Sequence, residues 1–344
     1  MKKIILAFLG VCILGSGTYA ADNLDAVMPL LQARTRSTGQ TQQVLQLFIS
    51  AKQPDVIFAT GASLVRIPPA NTQETKLLNI FLKNSNPLKQ TFAAVILTAM
   101  GTQHEEFSEI LQQAALSADP AIRAYAGSAY TILNPSQTLY KEQIVQLYIY
   151  DPAFALRAMN LISSGDKQTL QYLKTAARAE QPLLRAAAAA WLGDLQNKTA
   201  ASQLLKMAKT ETDTQVAASI ATALAKNQAR TLTQVIKGLK SPYQTQPAAT
   251  YALALGFMTG NAIEPIKQAL LDKNINTRIN AARAAAYMAG VLVSEQASLY
   301  STDIKFDTLL LKGLIPVLSA MEKSANSDEK LFAQNALTQI AKLK

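Results

Sequence analysis

His104, Glu105, Glu106 and Glu109 are the one grouping in this chain with metal-binding or acid–base chemistry in it. Glu105 and Glu109 are four apart and share a helix face, the spacing that a shared cation or proton would need. A zincin-type site requires a second histidine at helical spacing, and His104 is the only histidine in 344 residues. The group stands where a helix is expected to begin, a position that favours acidic side chains through the dipole, so its expected role is structural. Cys12 is the only cysteine and lies in the first twenty residues, which excludes Cys–His nucleophilic designs from the rest of the chain. Glycines fall near expected helix ends rather than in a phosphate-cradling loop. No catalytic, metal or cofactor residue is expected, and the chain is read as a non-enzyme.

The elements that position side chains in this molecule are set by a repeat. A Pro or Thr behind a short polar residue recurs as Gln53-Pro54, Asn86-Pro87, Asp119-Pro120, Asp151-Pro152, Gln181-Pro182, Asp213-Thr214, Gln246-Pro247 and Asn276-Thr277. Subtracting successive positions gives spacings of 33, 33, 32, 30, 32, 33 and 30. Asp and Asn cap orphan N–H groups, and proline at the first helical position loses no hydrogen bond, so each phrase predicts a helix start. The matching helix ends are predicted at Gly101, Asn134, Gly165, Gly193, Asn227, Gly260 and Gly290, types that tolerate left-handed backbone. Second helices are predicted between copies, over 106–117, 169–178 and 200–209, making each repeat a helical hairpin.

Aligned on the Pro or Thr, three columns separate. Ten residues on stand Leu64, Leu97, Tyr130, Ile162, Leu192, Leu224, Phe257 and Tyr287, an apolar column read as core. Seven residues on stand Gly61, Ala94, Gly127, Met159, Ala189, Ala221, Ala254 and Ala284, mostly small, as close helix approach requires. Three residues on, Gln90, Arg123, Arg185, Thr250 and Asn280 alternate with Ile57, Ala155 and Ala217, and this mixed column is read as partly solvated.

The phrase Gln181-Pro182-Leu183-Leu184-Arg185 through Trp191-Leu192-Gly193 resembles a HEAT repeat, with a period of about 32 residues that suits the short bacterial type. The likeness is good over 53–290 and weaker in the flanks. Tetratricopeptide and ankyrin repeats fit less well, since their first-helix Trp/Leu-Gly/Tyr and Thr-Pro-Leu-His phrases do not recur. The resemblance implies an all-α fold, a right-handed α-α superhelix, and a function in binding another macromolecule through an extended concave face. Some proteins with HEAT-like folds are enzymes, but fold alone does not license that function.

Residues 1–20 stand apart: Lys2 and Lys3, an apolar run from Ile4 to Ile13, then small residues ending in Thr18-Tyr19-Ala20. This reads as a signal peptide cleaved after Ala20, with the periplasm of a Gram-negative cell as the expected compartment and secretion beyond it as the alternative. Lipidation at Cys12 is disfavoured because Val11 stands where a lipobox wants Gly or Ala. No segment of the mature chain is expected to cross a bilayer.

Positions 21–344 are read as one solenoid: an irregular start over 21–52, regular repeats over 53–290, an insertion over 291–307 and a C-terminal cap over 308–344 opened by a capping box at Asn326-Ser327-Asp328-Glu329. Charge is uneven, with 12 basic and 5 acidic residues over 181–290, net +7, against net +1 over 21–180 and zero over 291–344. Six of eleven tyrosines fall between Tyr125 and Tyr172, the basis for an aromatic peptide groove. In HEAT-like proteins the second helices usually line the inner face, and Gln90, Arg123, Tyr125, Arg185, Thr250, Asn280 and Arg283 are the expected partner contacts. The expected partner is another protein, not a nucleic acid. The alternative is an anionic envelope polymer or lipid headgroup held by the basic repeats 181–290.

Overall fold

The computed structural model describes residues 28–33, 35–70, 72–102, 105–135, 140–162, 167–294 and 297–343. The expected signal peptide, Gly165 and His104 lie outside the described residues. The chain divides into two compact units, Met1–Ser163 and Ser164–Lys344. Among the described residues there is no strand.

In the first unit the helices are α1 (Thr38–Ser50), α2 (Pro54–Arg66), α3 (Thr72–Phe81), α4 (Pro87–Ala99), α5 (Glu105–Ala114), α6 (Pro120–Leu133), α7 (Lys141–Tyr150) and α8 (Pro152–Ile162). In the second they are α9 (Lys167–Ala176), α10 (Pro182–Leu195), α11 (Lys198–Thr210), α12 (Thr214–Lys226), α13 (Gln228–Gly238), α14 (Gln246–Phe257), α15 (Gly260–Leu270) and α16 (Ile275–Val293). A 3-10 turn at Ala297–Leu299 then leads to α17 (Ile304–Lys312), α18 (Ile315–Met321) and α19 (Ser327–Ile340). The first helices of the repeats stack on one another, α2 on α4 on α6 on α8 in one unit and α10 on α12 on α14 on α16 in the other. In the second unit α11, α13 and α15 form a parallel second layer, so the fold is an all-α solenoid.

The caps sit where the sequence put them in most copies. Asn86 accepts from the N–H groups of Leu88 and Lys89 at 3.0 and 3.2 Å, Asp119 from Ala121 and Ile122 at 2.8 and 3.2 Å, and Asp213 from Gln215 and Val216 at 2.9 and 3.0 Å. Two copies are out of phase. Thr245 rather than Gln246 caps α14, and Asn274 rather than Asn276 caps α16. The offset explains the core column: Leu64, Leu97, Tyr130, Ile162, Leu192 and Leu224 are buried, whereas Phe257 is half-buried and Tyr287 is exposed. The small-residue column is buried in all eight copies.

Helix ends depart further from expectation. Gly101 does take left-handed backbone, with φ of 81°. Gly193 and Gly290 instead lie inside α10 and α16. A Cβ on Gly193 would stand 2.9 Å from the Ala223 backbone, so this glycine serves the close approach of α10 and α12. The left-handed residue ending α10 is Gln196, with φ of 44°. Gly260 opens α15 rather than closing α14, and the positive φ falls on Thr259. Asn134 and Asn227 end their helices without left-handed backbone. Asn326 caps α19, but Glu329 does not complete the capping box, because its carboxylate goes to Arg278 and Ser324.

Candidate functional site

Four polar side chains at the fourth position of their helices fold back onto the loop before them. Arg123 donates to the carbonyls of Ser117 and Ala118 at 2.6 and 2.8 Å, and Arg185 to those of Ala179 and Glu180 at 2.9 and 2.8 Å. Arg278 repeats the geometry on Asp272 and Lys273, and Gln90 reaches Leu82 at 2.7 Å. Asn280, one half-turn on, ties Leu239 and Ser241 at 2.9 and 3.0 Å. In the column read as partly solvated, Gln90, Arg123 and Arg185 are half-buried and, with Asn280, act as staples that satisfy orphan carbonyls between hairpins. Arg185 and Arg278 also grip Glu211 and Glu329 with paired hydrogen bonds. For Glu211, burial works against the charge, yet Arg185 and the N–H groups of Asp213 and Thr212 outweigh it and hold the carboxyl below its ordinary range.

The remaining expected contacts are also occupied within the chain. Thr250 is buried and bonds back to Gln246, and Asn280 is fully buried, so neither offers surface to a partner. Arg283 lies half-buried over the Phe332 ring at 4.7 Å. Tyr125, 1 % exposed, is the hub of an aromatic core, with ring centroids 5.9, 5.5 and 6.3 Å from Phe58, Phe92 and Phe154. Tyr130 and Tyr140 are buried edge to face at 5.3 Å. The tyrosine-rich stretch therefore builds the first unit's interior more than a groove. Trp191 is fully buried.

The chemistry-bearing groups gather in one further place. Asp151 is fully buried, accepts from Phe154 N–H at 3.0 Å and from the Tyr125 hydroxyl at 3.3 Å, and lies 3.8 Å from Arg66. Burial pushes its carboxyl up against the pull of Arg66 and Arg157. Arg157 donates to the Val65 carbonyl at 2.9 Å, and Arg36 donates to those of Ser63 and Ile67 at 2.6 and 2.9 Å. Burial, with Arg66 beside it, lowers the Arg36 guanidinium to about 10. These arginines cap the C-terminal carbonyls of α2, a structural use in keeping with the helix dipole. Glu106 and Glu109 are exposed on α5, and no group of metal-ligating side chains occurs among the described residues.

What is left unspent lies on the second layer of the second unit. Lys198, Lys206 and Lys209 on α11, and Arg230 and Lys237 on α13, are all exposed. Neither helix carries an Asp or Glu, and Lys267 on α15 extends the row. Of the other basic residues here, Arg185 is engaged by Glu211, Arg278 by Glu329, Lys226 by Asp194 at 2.5 Å and Arg283 by the Phe332 ring, while Lys240 and Lys273 in the loops after α13 and α15 are exposed as well. The sequence singled out this segment by charge but left its face open. Arg278 was missed as a staple, although Asn274-x-x-x-Arg278 repeats the spacing of Asp119 to Arg123 and Gln181 to Arg185.

Residues 148–225 match the family model for HEAT repeats. No curated protein matches the chain in sequence. Among solved structures the chain is similar to Kap121p bound to Ste12p at 14% identity and a TM-score of 0.45, covering 100% of this chain and 42% of that one. It is similar to YibA of Escherichia coli at 13% identity and a TM-score of 0.35, covering 95% and 99%. The CpcE–CpcF complex of phycocyanin lyase from Nostoc sp. PCC7120 gives 18% identity and a TM-score of 0.30, covering 79% and 96%. The chain thus spans less than half the length of the karyopherin. Residues 148–225 thus match HEAT repeats, and with hairpins and stacked layers in place the described residues form an all-α solenoid.

Proposed function

We propose that the protein is an exported, non-enzymatic scaffold that docks an acidic surface of another protein on the second helices of its second unit. The observation that carries this reading is the row of exposed cations on α11 and α13, with no carboxylate on either helix. Stacked repeats favour such a role, because neighbouring hairpins extend a surface without needing a pocket. Repeated like charge on that surface steers an opposite one and raises its rate of encounter. Export is supported by the basic start, apolar run and small-residue site of residues 1–20.

The test is capture from envelope extract by the mature chain, eluted in salt steps, beside a Lys206→Glu/Lys209→Glu/Lys237→Glu variant. A protein held stoichiometrically by the wild type and lost by the variant supports the reading. Equal retention by both chains overturns the assigned face. Release of polyanion alone at low salt replaces the protein partner with a polymer.

A further inference from the structure

The helix α17 is built inside out. Asp307, Thr308 and Leu311 face the protein, while Phe306 and Leu309 are 55% and 68% exposed. Leu299, on the turn before it, is 72% exposed. A surface helix ordinarily turns its apolar stripe inward, so three large apolar side chains outside a buried carboxylate need a cause.

The cause on the inner side is visible. The Asp307 carboxylate accepts from the Ser301 hydroxyl at 2.7 Å and packs against Gly260, where any Cβ would overlap it. Gly260 is the first residue of α15, so the carboxylate stands at the positive end of that helix. The Thr259 hydroxyl donates to the Tyr300 carbonyl at 2.9 Å, and Tyr300 stacks on Phe257 with centroids 4.8 Å apart. These contacts fix the rotation of α17 and hold its apolar side outward.

At about 100° per residue, Phe306 and Leu309 lie at the middle of the outer face. Lys305 and Lys312 share one flank, and Leu310, 37% exposed, takes the other. The geometry points to an anionic lipid surface as the occupant: Phe306, Leu309 and Leu299 enter the headgroup boundary while Lys305 and Lys312 meet the phosphates. An apolar helical face edged by lysines is the arrangement that lies in a membrane interface, the lysine stems covering apolar surface and their ammonium groups staying at the headgroups. A second copy fits worse. Antiparallel pairing of two such faces about a two-fold axis brings the same flanks together and sets Lys305 of one chain against Lys312 of the other. The protruding residues are also few against the area of roughly 800 Å² that each partner of a stable protein complex buries.

Co-sedimentation of the mature chain, without the apolar run of residues 1–20 that would itself enter a bilayer, tests this. The probes are vesicles of phosphatidylethanolamine with phosphatidylglycerol, and vesicles of phosphatidylcholine alone. The chain is expected to pellet with the anionic vesicles and to release as salt rises. Phe306→Gln/Leu309→Gln removes the apolar contact without adding charge and is expected to weaken binding about tenfold or more. Lys305→Glu/Lys312→Glu is expected to weaken it on the order of fivefold for each lysine lost. Because Lys305, Phe306 and Leu309 are exposed and Lys312 is half-buried, circular dichroism melts should match the wild type. The proposal is overturned if the chain stays in the supernatant, or if the Gln variant binds as well as the wild type. A concentration-dependent dimer abolished by Leu309→Gln also overturns it, assigning the face to a second copy.

Discussion

Arg185→Ala is the sharpest probe of the staple column. The guanidinium makes two hydrogen bonds to Glu211, at 2.8 and 2.9 Å, and two to the Ala179 and Glu180 carbonyls. The two side chains are 18% and 6% exposed, so the pair is shielded without being sealed. Breaking a buried pair costs about 3–5 kcal/mol, and the water that reaches Arg185 places this case near the lower end, at about 3 kcal/mol. The larger part of that cost falls on the Glu211 carboxylate, left with only the N–H groups of Thr212 and Asp213 at 3.1 and 2.9 Å. Glu211→Ala also frees the N–H groups of Thr212 and Asp213, so Arg185→Ala/Glu211→Ala should cost more than Arg185→Ala alone yet less, by about 1 kcal/mol or more, than the sum of the two single losses. Arg185→Lys should rescue poorly, since an ammonium cannot span both carboxylate oxygens and both carbonyls. Urea unfolding followed by circular dichroism reads the change, with the transition of the second unit fitted separately because two units need not unfold together. A loss under about 1 kcal/mol, or a double variant showing the sum of two independent losses, would refute the staple reasoning.

Two glycines inside helices should respond with opposite signs. Gly193→Ala drives a methyl into the Ala223 backbone and is expected to cost about 1–3 kcal/mol, whereas Gly290→Ala meets nothing within 4 Å and should stabilise by about 0.5–1 kcal/mol, both read from urea midpoints. Gln196 is exposed with left-handed backbone, so Gln196→Gly should raise stability by about 0.5–1 kcal/mol by relieving a Cβ clash, a gain readable as a higher melting temperature. Asp151 should show inverted acid behaviour, because its carboxyl is raised in the folded state and the native protein binds that proton more tightly than the unfolded chain does. Its contribution to stability is therefore lost as pH rises through the folded value, and the stability difference between wild type and Asp151→Asn should change between pH near neutral and pH just above the ordinary aspartate range. A difference that stays flat over that window would contradict the burial argument.

Much of the fold was legible because caps and small residues are local. Asn86, Asp119 and Asp213 announce helix starts through chemistry confined to three or four neighbours. Phase was lost where a second plausible cap stood nearby: Asn274 and Asn276 both qualify, and the choice is settled by Arg278 reaching Asp272 and Lys273. Gly193 reads as a terminator because a sequence does not show Ala223 lying against it. Gln90, Arg123 and Arg185 are half-buried, in keeping with a partly solvated column, but their bonds to loop carbonyls were not legible, since a solvated arginine and a bonded one look alike in composition. Tyr125 carried an interface signal from its residue type and turned out to be the centre of the first unit's aromatic core. The outward face of α17 was not legible at all. The sequence reading ended an insertion at 307 and began the cap at 308, cutting through this helix, and nothing local shows Asp307 lying against Gly260.

The central claim is that the second-helix layer of the second unit is the docking face. Lysine-modification footprinting of the protein, free and while bound to its captured partner, addresses it most directly. Protection concentrated at Lys198, Lys206, Lys209 and Lys237, with exposed Lys52 and Lys83 of the first unit unchanged, is the predicted result. Protection at Lys52 and Lys83 with the α11 and α13 lysines still reactive would contradict the account.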